Sequence, residues 1–238
     1  MKQKHYRRPP RVGERCLVDG VETYAAFDAD LIDFRILARS VDAHYGEVPP
    51  EEPAYYYTQM SAKPLETEFY VGGASDDEAQ INLSRLVEAS KYCVLRKEGS
   101  DFEYPAILTG YEMEHTGVEH YLLVTMNFTA RLRKPLVDCE LTGSGTVYNE
   151  GNLASGYRLT VHPHQDMANV TVAGMTLKNL HAGKDFTVDG IEYRVTEEGV
   201  NRFADTDITA FPQMLPGENY IEIPDGVKVT IAFYPAYL

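Results

Sequence analysis

The densest run of chemistry-bearing side chains is His162-Pro163-His164-Gln165-Asp166. Side chains alternate between faces in an extended segment, so His162, His164 and Asp166 share one side and make half of a metal site. Pro163 disturbs strand pairing there and no fourth ligand can be named, so a surface loop is the cheaper reading. Glu112, Glu114, His115, Glu119 and His120 crowd around Gly117, where an acid could face a base. A solvated hairpin tip accounts for the same charges without catalysis. Cys16, Cys93 and Cys139 lie far apart with no CxxC spacing, which favours free thiols over disulfides or zinc. A nucleophile needs a base held beside it, and the chain has no nucleophile elbow, phosphate-binding loop or metal-binding helix motif. Neither catalysis nor a cofactor or metal is expected.

Composition narrows the classes further. The 238 residues are 44% hydrophobic and 24% charged, enough apolar material to build packed cores. The net charge of −14 is uneven: six basic residues against Glu14 give the first 15 residues +5, leaving −19 on the rest. Such a body repels phosphates, which argues against a general nucleic-acid binder. The basic arm, Arg7 and Arg8 included, could instead meet an acidic neighbouring subunit or remain a solvated tail. No apolar run approaches the roughly 18 residues that cross a bilayer. The basic N-terminus has no apolar stretch behind it, so no signal peptide is indicated.

The elements that must carry these residues are mostly strands. Asp19-Gly20 between short apolar runs predicts a hairpin. Residues 26–38 read as strand or mixed structure. Tyr45 to Tyr57 holds Pro49, Pro50 and Pro53 and should be an exposed loop ending in Tyr55-Tyr56-Tyr57, tyrosines that suit an interface. Ser75 with Glu78 has capping-box spacing, and Ala79, Leu83, Leu86 and Val87 recur at helical intervals, predicting one helix near 76–91. From Val118 to Leu132 neither alternating set is polar throughout, with Tyr121, Leu123 and Thr125 on one side. That strand should be buried on both faces or paired with another subunit. Residues 131–135 close the run and predict a boundary between domains 1–134 and 135–238. Beyond it come short strands with close turn signals, including Asp189-Gly190, which suggest a β-sandwich of about 100 residues. At the end, Leu215-Pro216-Gly217 makes a turn, and Pro224-Asp225-Gly226 should join residues 220–223 to 227–233 as a hairpin.

Several stretches in fixed order carry a resemblance. They are Asp101-Phe-Glu-Tyr-Pro-Ala-Ile-Leu108, the strand Tyr121 to Thr129, Asn149-Glu-Gly-Asn152 and Phe186-Thr-Val-Asp189-Gly190. Phe211-Pro212, Leu215-Pro216-Gly217-Glu-Asn219 and Ile231 to Pro235 complete the set. Together they resemble the distal tail (Dit) proteins of long-tailed, non-contractile bacteriophages and prophages. The resemblance implies a mainly β subunit of two domains: an N-terminal β-rich domain with one helix that forms a hexameric ring, and an outward galectin-like β-sandwich. It implies a virion protein between the tail tube protein and the tail tip or baseplate hub protein. It also gives Phe211, Pro212, Pro216, Gly217 and Asn219 structural roles in the outer domain. The chain is too short for the carbohydrate-binding module that some members carry inserted. The rival expectation is a sugar-binding sandwich, which usually needs an exposed aromatic platform. The chain has no Trp, which leaves Tyr157 or Tyr193 to supply one.

Overall fold

The computed structural model describes Arg11 and residues 13–38, 41–48, 52–60 and 62–238, with only the backbone pairing for 41–48 and 52–60. The chain divides into two compact units between Leu132 and Arg133. Arg7 and Arg8 lie outside the described residues.

The first unit is organised by one antiparallel sheet of seven strands. Its order is Val21–Glu22, Cys16–Val18, Tyr92–Lys97, Tyr104–His115, Tyr121–Ala130, Lys63–Gly72 and Ala29–Ile36. The expected hairpin at Asp19-Gly20 is present, with both residues at positive φ (49° and 79°), the twist that two-residue hairpins favour. Strand Tyr121–Ala130 alternates as its sequence does: Leu122, Val124, Met126, Phe128 and Ala130 are buried, and the residues between them half-buried. It is hydrogen-bonded on both sides, by Lys63–Gly72 and Tyr104–His115. Its edges are therefore closed to another subunit, which removes one of the two expectations for this strand. Only its outer face is left to meet a partner.

Helix Asp76–Ser90 lies on the buried face through Ala79, Leu83 and Leu86, which join one core with Leu31, Phe69 and Val124. Its start follows the spacing in the sequence. The Ser75 hydroxyl accepts from the Glu78 N–H (3.2 Å), and the Glu78 carboxylate accepts from the Ala74 N–H (2.9 Å). Asp76, Asp77 and Glu78 add favourable charge at the positive end of the helix dipole. Gly73 lets the preceding strand come this close, since a Cβ there would stand 2.5 Å from the Ala79 nitrogen. A second, one-turn helix, Thr23–Phe27, occupies the start of the segment read as strand or mixed, and Ala29–Ile36 follows as strand.

On either side of Pro49 and Pro50, which lie outside the described residues, the proline-rich segment is strand and not the irregular loop expected. Val41–Val48 and Glu52–Met60 pair as an antiparallel ribbon, with Glu47 opposite Pro53. A two-stranded ribbon has a free edge on each strand, where a residue without an N–H costs no ladder bond. The register runs His44 to Tyr57 and Tyr45 to Tyr55, so Tyr56 is the extra residue of a bulge.

The second unit is a β-sandwich. One layer runs Val137–Leu141, Val227–Phe233, Ser155–Pro163, Phe186–Asp189, Arg194–Glu197 and Val200–Asn201, with Gln213–Met214 also bonded to Ser155–Pro163. Two further antiparallel pairs, Gly145–Asn149 with Gly217–Ile221 and Met167–Val172 with Met175–Leu180, send Val147, Ile221, Val172 and Leu177 into the same core as Leu159, Phe186 and Ile231. The closing hairpin does not form. Gly226 turns the chain at φ 79°, but Gly217–Ile221 pairs with Gly145–Asn149 while Val227–Phe233 inserts between Val137–Leu141 and Ser155–Pro163. The Pro-Asp-Gly turn passes the chain from one sheet to the other.

Replacing Ser75 by Ala should cost about 1 kcal/mol, the usual value of an N-cap. Urea unfolding followed by circular dichroism checks this, and an unchanged midpoint would remove the cap from the stability of this helix.

Candidate functional site

The residues of the first constellation do not assemble a metal site. His162 Nδ1 lies 2.6 Å from Asp185 Oδ1, and its Nε2 lies 2.9 Å from Thr230 Oγ1. His164 is exposed, while Asp166 accepts from the Ala182 N–H at 2.7 Å. No group of three His, Cys, Asp or Glu placed to hold a metal occurs among the described residues. Asp185–His162–Thr230 has the connectivity of an acid, a base and a hydroxyl nucleophile. Thr230, however, sits in a strand paired on both sides, opposite Glu140 and Thr160. Its neighbours' N–H groups are committed to ladders and cannot converge on an oxyanion. The contact joins a strand, its neighbour and the entry to Phe186–Asp189, and its chemistry is that of a structural clasp.

The cluster around Gly117 divides: His115, Glu119 and His120 line one depression of about 240 Å³ together with Asp76. Glu112 and Glu114 stand on Tyr104–His115, opposite Thr125 and Leu123. His120, at φ 66°, reaches the first turn of the long helix, its Nδ1 2.9 Å from Asp76 Oδ1. That hydrogen bond lowers the Asp76 pKa. Cys16 and Cys93 are free and buried, and burial pushes both thiols up to about 12, so they are poor nucleophiles.

Several of the motif residues meet in the second unit. Asp189 is fully buried; its Oδ1 accepts from the Ile191 and Glu192 N–H groups, and its Oδ2 from Arg158 Nε at 2.9 Å. Gly190 N–H donates to the Tyr157 carbonyl, and Tyr157 N–H to the Pro212 carbonyl. A Cβ on Gly190 would stand 2.5 Å from Pro212 O and 2.8 Å from Tyr157 O. Asp189-Gly190 is thus not the tight two-residue turn expected. Asp189 pairs with Arg194 across residues 190–193, and the left-handed residue of that turn is Tyr193, at φ 54°. Phe211 packs edge-on against Tyr193 at 5.5 Å. Downstream, Gly217 adopts φ 87°, and the Asn219 amide accepts from Leu215 N–H and donates to the Leu215 and Gly217 carbonyls, fixing the turn around Pro216.

The two sugar-platform residues differ. Tyr193 is 72% exposed, whereas Tyr157 is 5% exposed, with its ring in the core, and cannot form a stacking surface. In the first unit Tyr121, Leu123 and Thr125 line up, half-buried, on the outer sheet face beside Tyr70 and Glu68. The Tyr121 ring lies across Gly72, where a Cβ would meet it at 2.6 Å, so part of its surface is used within the subunit.

Two features escaped the sequence. One is a groove of about 350 Å³ along residues 213–221, closed by Tyr157 and Ala173 from other strands and turns. The other is the network around Glu197, which is 6% exposed. It accepts from Arg202 and contacts the His181 ring at 2.8 Å, while Arg202 also holds Asp205 and the Asn179 carbonyl. No motif announces it, because its members meet only through strand register.

No family model and no curated protein matches the sequence. Solved structures do match. The chain has the fold of a phage distal tail or baseplate-hub protein. The SPP1 Dit protein, described as a paradigm of the hub adsorption apparatus in phages infecting Gram-positive bacteria, matches with a TM-score of 0.73 at 14% identity, over 94% of this chain and 99% of its own. A chain of the phage P2 baseplate, in its activated conformation with Ca, matches at 0.59 and 8% identity, over 93% of this chain and 98% of its own.

Gly190→Ala should destabilise the second unit by about 1–3 kcal/mol, because the added methyl meets two backbone oxygens that cannot move independently. Calorimetry should show the loss in one of two transitions. Burial pushes the Glu197 carboxyl up, but the His181 hydrogen bond and the Arg202 charge outweigh it and leave the pKa lowered. A lowered folded pKa adds stability above the unfolded value, and that stability is lost as pH falls through the folded one. Glu197→Gln should therefore be less stable than the native chain at pH 7, by about 1–3 kcal/mol. The gap should narrow as pH falls below the ordinary carboxylate range. Guanidinium unfolding at pH 7 and pH 3 measures it.

Proposed function

We propose that this protein is a structural subunit of a phage or prophage tail, forming the ring that joins the tail tube to the tip or baseplate. The observation that carries the reading is the likeness to SPP1 Dit across both units, with almost no part of either chain left over. The sites agree with it: the constellations that might have done chemistry resolve into clasps, turns and solvated strand ends. Location in a virion tail follows from the same reading.

In this proposal the first unit builds a hexameric ring wall. A ring needs a heterologous interface whose rotation closes. With both edges of Tyr121–Ala130 occupied, contact falls to the outer face that carries Leu123 and Thr125, to the ribbon that carries Tyr55, Tyr56 and Tyr57, and to the basic arm with Arg7 and Arg8. The second unit is an outward sandwich, its motif residues serving the fold.

Negative-stain microscopy and light scattering at high protein concentration, alone and after co-expression with the adjoining tail-tip protein, test the assignment. Rings of six subunits are expected in at least one condition. Leu123→Glu should reduce ring assembly at least tenfold while leaving the monomer's melting temperature within about 2 °C, since this half-exposed position lies off the core. A strictly monomeric chain in both conditions would refute the proposal.

A further inference from the structure

Asp is followed by Gly at three places in the chain, Asp19, Asp189 and Asp225. In such a pair the glycine nitrogen can attack the aspartate side-chain carboxyl, because no Cβ on the glycine shields it. A bond forms from the glycine nitrogen to the aspartate Cγ and closes a five-membered succinimide. The carboxyl OH and the amide hydrogen leave together as water. A second water then opens the ring at one of its two carbonyls. Opening at Cγ restores aspartate, and opening at the main-chain carbonyl leaves isoaspartate, with the backbone running through the side chain. Which pair reacts depends on how the fold holds the two groups.

Two of the pairs are held. The Asp189 carboxylate is fully buried and accepts from the Ile191 and Glu192 N–H groups and from Arg158. The Gly190 N–H donates to the Tyr157 carbonyl at 2.9 Å, so the attacking nitrogen is committed as well. The Asp19 carboxylate accepts from the Val94 N–H at 2.8 Å, and the Asp19 N–H donates to the Val94 carbonyl at 3.0 Å. That pair is fixed to the neighbouring strand.

Asp225-Gly226 is different. Both residues are exposed, and neither the Asp225 carboxylate nor the Gly226 N–H has a hydrogen-bond partner among the described residues. A Cβ built on Gly226 would meet nothing within 4 Å, so the ring has room to form. The chain is clamped on either side of the pair and not at it. Upstream, the Ser144 hydroxyl accepts from the Ile223 N–H at 2.9 Å and donates to the Ile223 carbonyl at 3.1 Å. Downstream, Val227 is paired with Pro163.

We infer that Asp225 is a site of spontaneous isoaspartate formation, with water as its only co-reactant. The product shifts the carboxylate and adds one backbone carbon to the link between Gly217–Ile221 and Val227–Phe233. The inference concerns the chain itself and does not rest on the tail reading.

Incubating the full chain for weeks at pH 7 and 37 °C in heavy-oxygen water tests it. Digestion in ordinary water and electron-transfer fragmentation then separate aspartate from isoaspartate. The Asp225 peptide should gain one heavy oxygen and an isoaspartate signal at least tenfold above those of Asp19 and Asp189. In concentrated urea, where the fold no longer selects, the three signals should come within a few-fold of one another. Asp225→Glu would need a less favourable six-membered ring, and it should lose the signal while keeping the native melting temperature. Asp225→Asn should raise the signal at least tenfold, because ammonia then leaves in place of water. An unlabelled Asp225 in the folded chain overturns the inference. So do comparable signals at all three pairs in the folded chain, or the same tenfold preference in urea.

Discussion

Backbone hydrogen bonds along both sides of Tyr121–Ala130 are the constraint from which the first unit follows. A doubly paired strand has no donors or acceptors to spare, so its side chains must settle everything else. One alternating set does so by burial: Leu122, Val124, Met126 and Phe128 accept the helix Asp76–Ser90, whose start is fixed by Ser75 and Glu78. The opposite set, from Tyr121 to Thr129, remains half-covered. This face mixes Leu, Thr and Tyr with Glu66, Glu68, Glu112 and Glu114, too much charge to form a core.

The second unit repeats the constraint with a different strand. Val227–Phe233 is also paired on both sides, and its inward residues Val229, Ile231 and Phe233 are at most 1% exposed. Its outward side is held by polar contacts: Thr230 with His162, and Lys228 with Glu140. The Lys228 hydrogen bond and charge lower the Glu140 pKa. Asp189 works inside the layer, where a buried carboxylate satisfied by two N–H groups and Arg158 organises the turn that brings Tyr193 to Phe211. Such a group is tolerated because its acceptors are filled.

Local information was readable and long-range information was not. The spacing of Ser75, Glu78, Ala79, Leu83 and Leu86 identifies a helix because every interaction involved lies within one or two turns. The Asp19-Gly20 hairpin is legible for the same reason. Pro224-Asp225-Gly226 announces a reversal, but a turn does not say which strand receives the chain, and here it is not the preceding one. Gly190 reads as a residue chosen for positive φ, and is needed instead because two carbonyls crowd its Cα. Pro53 argues against a central strand, yet a ribbon with two free edges evades that objection. Of the candidate site, His162 was visible by type, but its partners Asp185 and Thr230 are 23 and 68 residues away. The groove beside Tyr157 draws on three separate stretches of chain, and no spacing encodes it.

The insertion of Val227–Phe233 between Val137–Leu141 and Ser155–Pro163 has a bearing on how the molecule is made. On the ribosome, the first unit's sheet has all its strands once Ala130 has emerged. The early strands Val137–Leu141 and Ser155–Pro163 then wait for Val227–Phe233, the strand that lies between them. Until it arrives, Val137–Leu141 has an open edge and Leu159 and Val161 have no roof, the condition in which nascent β chains pair wrongly. The acidic charge that fills the body of this sequence keeps such waiting chains apart.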